Sequence, residues 1–273
     1  MAHDKRTLEF YILAAFFALF VLFLYGPLSA VLILSFQGPE GGLTFPLNGV
    51  SLHWFGNLFE KQAVGDFGAA FRRSFALGAM VMVVNVVVSL LAGLAFRRRF
   101  LGSNGLFYLT VASLVVPSII ISLGIGVVFQ QLGLKPAWYS SGFGAHLTWT
   151  LPFGVLIMFA VFNRFSPSYE EAARDLGASS WQTFRHVLLP MIAPSLVGVG
   201  LFGFTLSYDE FARTLMTSGT YNTLPLEIYG MTTNVTTPVL YALGTVTTLF
   251  SFTIILATLG IILMLRRRQA KVS

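Results

Sequence analysis

The sequence predicts an all-α integral membrane protein with six transmembrane helices and a polar helical hairpin between the fourth and fifth. Three observations support this fold class. Of 273 residues, 55% are hydrophobic and only 10% charged, whereas soluble domains carry roughly 25% charged residues. Six apolar runs are long enough for a hydrocarbon core roughly 30 Å thick. Residues 163–191, between the fourth and fifth runs, form the most polar stretch of the chain.

The six apolar runs divide the chain into one transmembrane domain over residues 1–273, with a polar loop inside 163–191. Each run holds about 20 residues, the length of helix that spans a bilayer. The predicted spans are 10–36, 74–96, 106–129, 146–162, 192–211 and 243–265.

The distribution of lysine and arginine predicts the orientation. Twelve of the 17 basic residues fall in the segments that share a side with both termini and the polar loop. Cytoplasmic segments carry the excess of basic residues. The sequence therefore predicts a multi-pass protein with cytoplasmic N- and C-termini and a cytoplasmic hairpin.

Composition and spacing argue against several functional classes. The chain has no cysteine, and its four histidines are scattered, so we expect neither a disulfide nor a metal site. It has no G-x-x-x-x-G-K-[ST] loop and therefore no Walker site for ATP. The basic residues lie at the ends of apolar runs, which argues against nucleic acid as a partner. We find no catalytic constellation, so an intramembrane enzyme is not favoured.

The polar loop carries the signals of two short helices. Ser168 and Glu171 have the spacing of a capping box, and Ser179 and Gln182 repeat it. Gly177 between them suits a left-handed C-terminal cap. We expect the second helix to end before Pro190.

This loop resembles the EAA motif of bacterial ABC importer permeases. The matching residues are Glu171-Ala172-Ala173, Gly177 and, after nine intervening residues, residues 187–190 (VLLP), with valine where isoleucine is usual. In that family the loop forms the coupling helices that dock into an ATPase subunit. The resemblance implies an ATPase-coupling surface made of Glu170, Glu171, Ala172, Ala173, Arg174, Asp175, Leu176 and Gly177.

A second stretch is similar to the spermidine/putrescine permease group, specifically its C-type subunits. Residues 204–211 (FTLSYDEF) and 224–229 (LPLEIY) carry this similarity, with Asp209-Glu210 in place of two aspartates and Glu227 where a basic residue can occur. The resemblance implies a pathway for polyamines. Other small organic solutes, such as phosphonates, opines or other amines, remain open as substrates.

Asp209 and Glu210 are also the acids placed deepest in an apolar run, beside Tyr208. Carboxylates inside a membrane are costly and often functional, and Tyr208 could add a cation–π contact to an ammonium group. The alternative is structural. Arg213 lies three and four residues further on, within helical reach of either acid for a local ion pair.

The resemblance further implies the partners and the location. They are a second homologous permease, two ATPase subunits that bind ATP and Mg²⁺, a periplasmic substrate-binding protein and the bacterial inner membrane. This chain itself is expected to hold no cofactor. An ATP-independent secondary transporter would also give six spans, but it does not require a capped hairpin of this spacing.

Overall fold

The computed structural model describes residues 7–58, 65–98, 100–234 and 237–270, with backbone alone for residues 234 and 265–270. Within these residues the regular structure is helical, apart from two isolated β-bridges. Two π-helical turns, Trp138–Gly142 and Phe184–Leu188, precede α6 and α9. The helices are α1 (Leu8–Leu34), α2 (His53–Asn57), α3 (Phe67–Phe96), α4 (Ser103–Ala112), α5 (Ser118–Gln131), α6 (Phe143–Asn163), α7 (Ser168–Asp175), α8 (Ser180–Thr183), α9 (Leu189–Tyr208), α10 (Leu224–Asn234) and α11 (Val239–Ala270).

The orientation inferred from basic residues stays a prediction. Part of the basic set lies outside the described side chains, namely Lys5, Arg6, Lys61, Arg99, Arg266, Arg267, Arg268 and Lys271.

Two compact units make up the chain: Met1–Asp66 with Gly230–Phe250, and Phe67–Tyr229 with Ser251–Ser273. In the first unit, the buried Gln37 side chain organises the loop after α1. Its Nε2 donates to the carbonyl of Gly42 at 3.1 Å, and its Oε1 accepts from the Asn48 amide at 2.7 Å. The Tyr241 hydroxyl donates to the Leu43 carbonyl at 2.6 Å and so ties the beginning of α11 to this loop.

Five helical segments of the described residues are long and apolar enough to cross a membrane. They are Leu8–Leu34, Phe67–Phe96, Trp138–Asn163, Ser180–Tyr208 and Val239–Met264. These correspond to five of the six predicted runs. The fold class is confirmed, whereas the count of six continuous spans is not.

The third predicted run, 106–129, is not one helix, which corrects the sequence prediction. It is divided between α4 and α5 by a break at residues 113–117. Pro117 is the N-cap of α5, and a proline disfavours helical geometry in the residue before it. With 14 residues, α5 extends about 21 Å, which is short of a full span.

Helices α3, α6 and α9 form the core of the second unit around the buried side chain of Asn85. Its Nδ2 donates to the Val199 carbonyl on α9 at 3.2 Å, and its Oδ1 accepts from Ser89 Oγ at 3.2 Å. A Cβ added at Gly154 or Gly203 would lie 2.5 Å from an Asn85 side-chain atom. Small residues at these positions therefore let the backbones approach closely, as expected for helices packed in a membrane.

We predict that Gly203→Ala destabilises this core, because its new Cβ would lie 2.5 Å from Asn85 Nδ2 and 3.3 Å from Asn85 Cβ. Overpacking of this kind costs about 1–3 kcal/mol. Gly198→Ala on the same helix is the matched control, since a Cβ there meets no atom within 4 Å. Thermal unfolding of the purified chain in detergent measures the difference. Equal melting temperatures for the two variants would contradict the close approach.

Candidate functional site

The first helix of the hairpin, α7, begins with a different cap from the predicted one. Its N-cap is Pro167, and no side chain caps the helix. The amides of Glu170 and Glu171 donate to the Pro167 carbonyl, and Ser168 Oγ accepts from Ser166 Oγ at 3.1 Å. The predicted Ser168–Glu171 capping box is therefore wrong. The two acids still lie in the first turn, where the positive end of the helix dipole stabilises their negative charges.

The turn between the two hairpin helices has the predicted glycine geometry. Gly177 has φ of 81°, a value that only glycine adopts at little cost. The Gly177 amide donates to the Arg174 carbonyl at 2.8 Å, and the Ala178 amide donates to the Ala173 carbonyl at 3.0 Å. These two bonds constitute a Schellman motif, which closes the last turn of α7.

The second hairpin helix begins with the predicted capping box. Ser179 Oγ accepts from the Gln182 amide at 3.3 Å, and Gln182 Oε1 accepts from the Ser179 amide at 2.8 Å. This helix does not end before Pro190, so that prediction is also wrong. It passes through the π turn Phe184–Leu188 into α9 without a break. The wider π turn changes the hydrogen-bond register next to Pro190, whose nitrogen has no hydrogen to donate.

Arg97, just after α3, anchors the hairpin to the core. Its Nη1 lies 2.6 Å from Glu170 Oε1. The guanidinium carbon also lies 5.4 Å from the ring centroid of Phe162 and 5.6 Å from that of Phe165. One side chain thus links the ends of α3 and α6 to α7. From the sequence, Arg97 is simply one of the basic residues that follow the second apolar run, so this contact was not predicted.

The tip of the hairpin exposes apolar side chains. Leu176 is 90% exposed, and Trp181 is also exposed. The Trp181 ring is stacked on Phe184 with centroids 5.5 Å apart. Neighbouring exposed apolar side chains in a polar segment are typical of a surface that binds another protein.

The three predicted pathway residues, Tyr208, Asp209 and Glu210, lie at the opposite end of the core, and they differ in their exposure. Helix α9 ends at Tyr208 rather than at Phe211. Tyr208 is buried, with its ring stacked on Phe204 at 5.9 Å. Asp209 is the exposed C-cap residue, and Glu210 is buried. Of the three, only Asp209 presents its side chain to the surroundings.

Glu210 and Arg213 do not form the ion pair considered in the sequence analysis. Glu210 Oε1 accepts from the backbone amide of Arg213 at 2.8 Å. The Arg213 guanidinium instead donates to Ser118 Oγ at 2.7 Å and Thr148 Oγ1 at 3.1 Å, and it lies 4.9 Å from the Trp149 ring centroid. No ion pair joins this guanidinium to either acid in the described part of the chain. Arg213 therefore fixes the segment after α9 to α5 and α6.

A buried histidine completes this polar cluster. The His146 side chain on α6 lies with Nδ1 2.7 Å from Ser207 Oγ and Nε2 3.3 Å from Thr214 Oγ1. Ser122 Oγ on α5 donates to the Arg213 carbonyl at 2.9 Å. The sequence offered no signal for this cluster, because its members are far apart in the chain. Among the described residues, no three His, Asp or Glu side chains come together as metal ligands would.

The fold and the site together define a class of protein: a multi-pass helical membrane protein with a capped hairpin anchored at one end of its core. Solved structures show the same fold. The chain matches a bacterial ABC transporter involved in the import of the acidic polysaccharide alginate with a TM-score of 0.70 and 15% identity, over 95% of each chain. It matches the MetNI methionine ABC transporter with a TM-score of 0.56 and 17% identity, over 73% of this chain and 94% of that one.

The sequence identifies the family. The profile described as "Binding-protein-dependent transport system inner membrane component" matches residues 85–271, more than half of the chain. This protein therefore belongs to that family of inner-membrane permease subunits, which are transporters and not enzymes.

Curated relatives in this family carry names that concern polyamines. The spermidine/putrescine transport system permease protein PotC of Haemophilus influenzae is 27% identical, over 90% of this chain and 95% of its own length. The putrescine transport system permease protein PotI of Escherichia coli K12 is 29% identical, over 82% of this chain and 80% of its own length. The predicted resemblance to the spermidine/putrescine permease group is confirmed.

We predict that Arg97→Gln and Glu170→Gln are coupled in a double-mutant cycle of thermal stability. The paired side chains are 23% and 15% exposed, so the pair contributes about 1 kcal/mol. Arg97→Gln should cost more than Glu170→Gln, because it also removes the contacts with the two phenylalanine rings. The exposed Arg164→Gln is the control and should change stability by less than about 0.5 kcal/mol. Additive effects of the two single variants would contradict the anchor.

Proposed function

We propose that this chain is one of two homologous permease subunits of an ATP-driven importer and that its hairpin docks on an ATPase subunit. The hairpin geometry carries this proposal. The glycine turn closes the last turn of α7, a capping box begins α8, and the tip between them exposes Leu176. Glu171 and Asp175 are exposed on the same short helix and are available for ionic contacts across such an interface.

The remaining partners belong to the same proposal. The ATPase subunits bind ATP and Mg²⁺, a periplasmic binding protein delivers the solute, and both termini lie in the cytoplasm. The apolar surfaces of α1 and α11 support a membrane setting with a neighbouring subunit. Of the 18-residue windows that define these two spans, 6% and 0% are buried.

The proposed substrates are polyamines such as spermidine and putrescine. The names of the relatives support this class, and so does the exposed carboxylate of Asp209 at the end of α9. An ammonium group on a flexible polyamine forms a charge-assisted hydrogen bond with a carboxylate. Glu210 is assigned a structural role, because its side chain already accepts from the Arg213 amide.

ATPase activity of the assembled complex in nanodiscs tests coupling through the hairpin. We predict that spermidine-loaded binding protein stimulates hydrolysis and that Gly177→Ala lowers this stimulation several-fold. An alanine at φ of 81° is strained by about 1–2 kcal/mol, so the Schellman turn is lost and the tip is displaced.

Gly102→Ala is the matched control for this experiment. Gly102 has φ of 87° and, like Gly177, open space where a Cβ would lie, so the same strain is introduced outside the hairpin. Equal loss of stimulation in both variants would indicate general destabilisation and contradict coupling through the hairpin. Uptake that depends on an ion gradient, without an associated ATPase, would instead identify a secondary transporter.

We predict that Asp209→Asn lowers spermidine uptake at least about 10-fold, since a hydrogen bond to a charged group contributes about 1.5–3 kcal/mol. Glu210→Gln should retain uptake within about threefold, because a glutamine oxygen can still accept from the Arg213 amide. Radiolabelled uptake into proteoliposomes measures both, and co-purification of the partner subunits shows that the complex has assembled. Wild-type uptake by both single variants and by the double variant would contradict a substrate role for either acid.

A further inference from the structure

A cavity of about 630 Å³ lies between the end of α3 and the hairpin. Three arginines line it, Arg97, Arg98 and Arg174, against the single carboxylate of Glu170. Because Arg97 and Glu170 neutralise each other, the cavity keeps two net positive charges. Its volume is in the range of small-molecule binding sites.

Arg98 and Arg174 are available to a ligand. Within the described part of the chain, neither guanidinium has a hydrogen-bond or ion-pair partner. Their placement after α3 and in the last turn of α7 suits the helix dipoles. That effect explains why basic residues occur there, but it does not explain why both line one concavity without a counterion.

Part of the cavity lining is apolar, beside the hydroxyl groups of Ser180 and Thr183. Leu94 on α3 and Leu188 before α9 line it together with Phe184. Leu188 belongs to the buried cluster between α6 and α9. Basic side chains beside a few apolar ones, at the ends of helices that cross the membrane, suit an amphiphile with an anionic head better than a free ion.

We propose that this cavity binds the phosphate of an anionic phospholipid, with Arg98 and Arg174 contacting the phosphate oxygens and the acyl chains leaving along Leu94. Arginine matches phosphate through paired N–H donors. Basic pockets at the ends of transmembrane helices are suited to such head groups. Both leaflets of a membrane present phosphates, so the site does not depend on the proposed orientation or on ATP coupling.

A lipid titration followed by native mass spectrometry tests the site. The chain is purified with its accompanying subunits, delipidated and titrated with phosphatidylglycerol. We expect saturable binding of phosphatidylglycerol and much weaker binding of phosphatidylcholine. At about a factor of five for each basic residue, Arg98→Gln/Arg174→Gln should raise the apparent Kd about 30-fold. Arg98→Lys/Arg174→Lys, which keeps the charge but not the paired donors, should lose less.

The control is Arg164→Gln/Arg185→Gln, which removes two exposed arginines that do not line the cavity. It should leave the apparent Kd unchanged. Equal loss in the control variant would indicate a nonspecific charge effect and overturn the site. Complete displacement of the lipid by millimolar inorganic phosphate would make free phosphate the ligand and overturn the lipid assignment. If phosphatidylglycerol binds only when the ATPase subunit is absent, the two arginines contact that subunit and the lipid assignment is overturned.

Discussion

The close approach of α3, α6 and α9 around the amide of Asn85 is the constraint on which the second unit depends. In hydrocarbon the hydrophobic effect does not drive helices together, so packing of small residues and internal hydrogen bonds must hold them. Gly154 and Gly203 provide the space, and the Asn85 side chain bridges α3 to α9. Both candidate sites are built on the ends of these three helices. The hairpin is joined to one end through Arg97, and the cluster around His146 closes the other.

Local chemistry was predictable wherever a few neighbouring residues determine it. The glycine turn at Gly177 and the capping box at Ser179 follow from backbone strain and from orphan amides, and both are confirmed. Pro167 replaced Ser168 as the cap of α7, because a preceding carbonyl satisfied the same amides that a side chain would have served. Capping patterns predict that a helix begins nearby, but competition between adjacent acceptors decides the residue.

Tertiary features were not predictable from spacing or hydropathy. The third apolar run reads as one span, yet it is divided at Pro117, because hydropathy reports solvent preference and not backbone continuity. An ion pair of Arg213 with a neighbouring acid was one of two alternatives, but the Arg213 guanidinium contacts Ser118 and Thr148, which lie 95 and 65 residues away in the sequence. Its cation is held by neutral hydroxyls and the Trp149 ring. Such partners become visible only when α5 and α6 are brought beside the end of α9.

The continuity of the second hairpin helix with α9 determines how a force on the hairpin can be transmitted. A helix that ended before Pro190 would have left a flexible joint between the two. Instead the segment from Ser180 to Tyr208 is helical throughout, and its Phe184–Leu188 turn is the place where the hydrogen-bond register changes. A displacement of the hairpin must therefore bend this turn or move α9. Since Leu188 is buried in the same cluster as Ile192 and Val199 of α9, either response disturbs core packing, and a force on the hairpin therefore acts on the packed core and not on a loose joint.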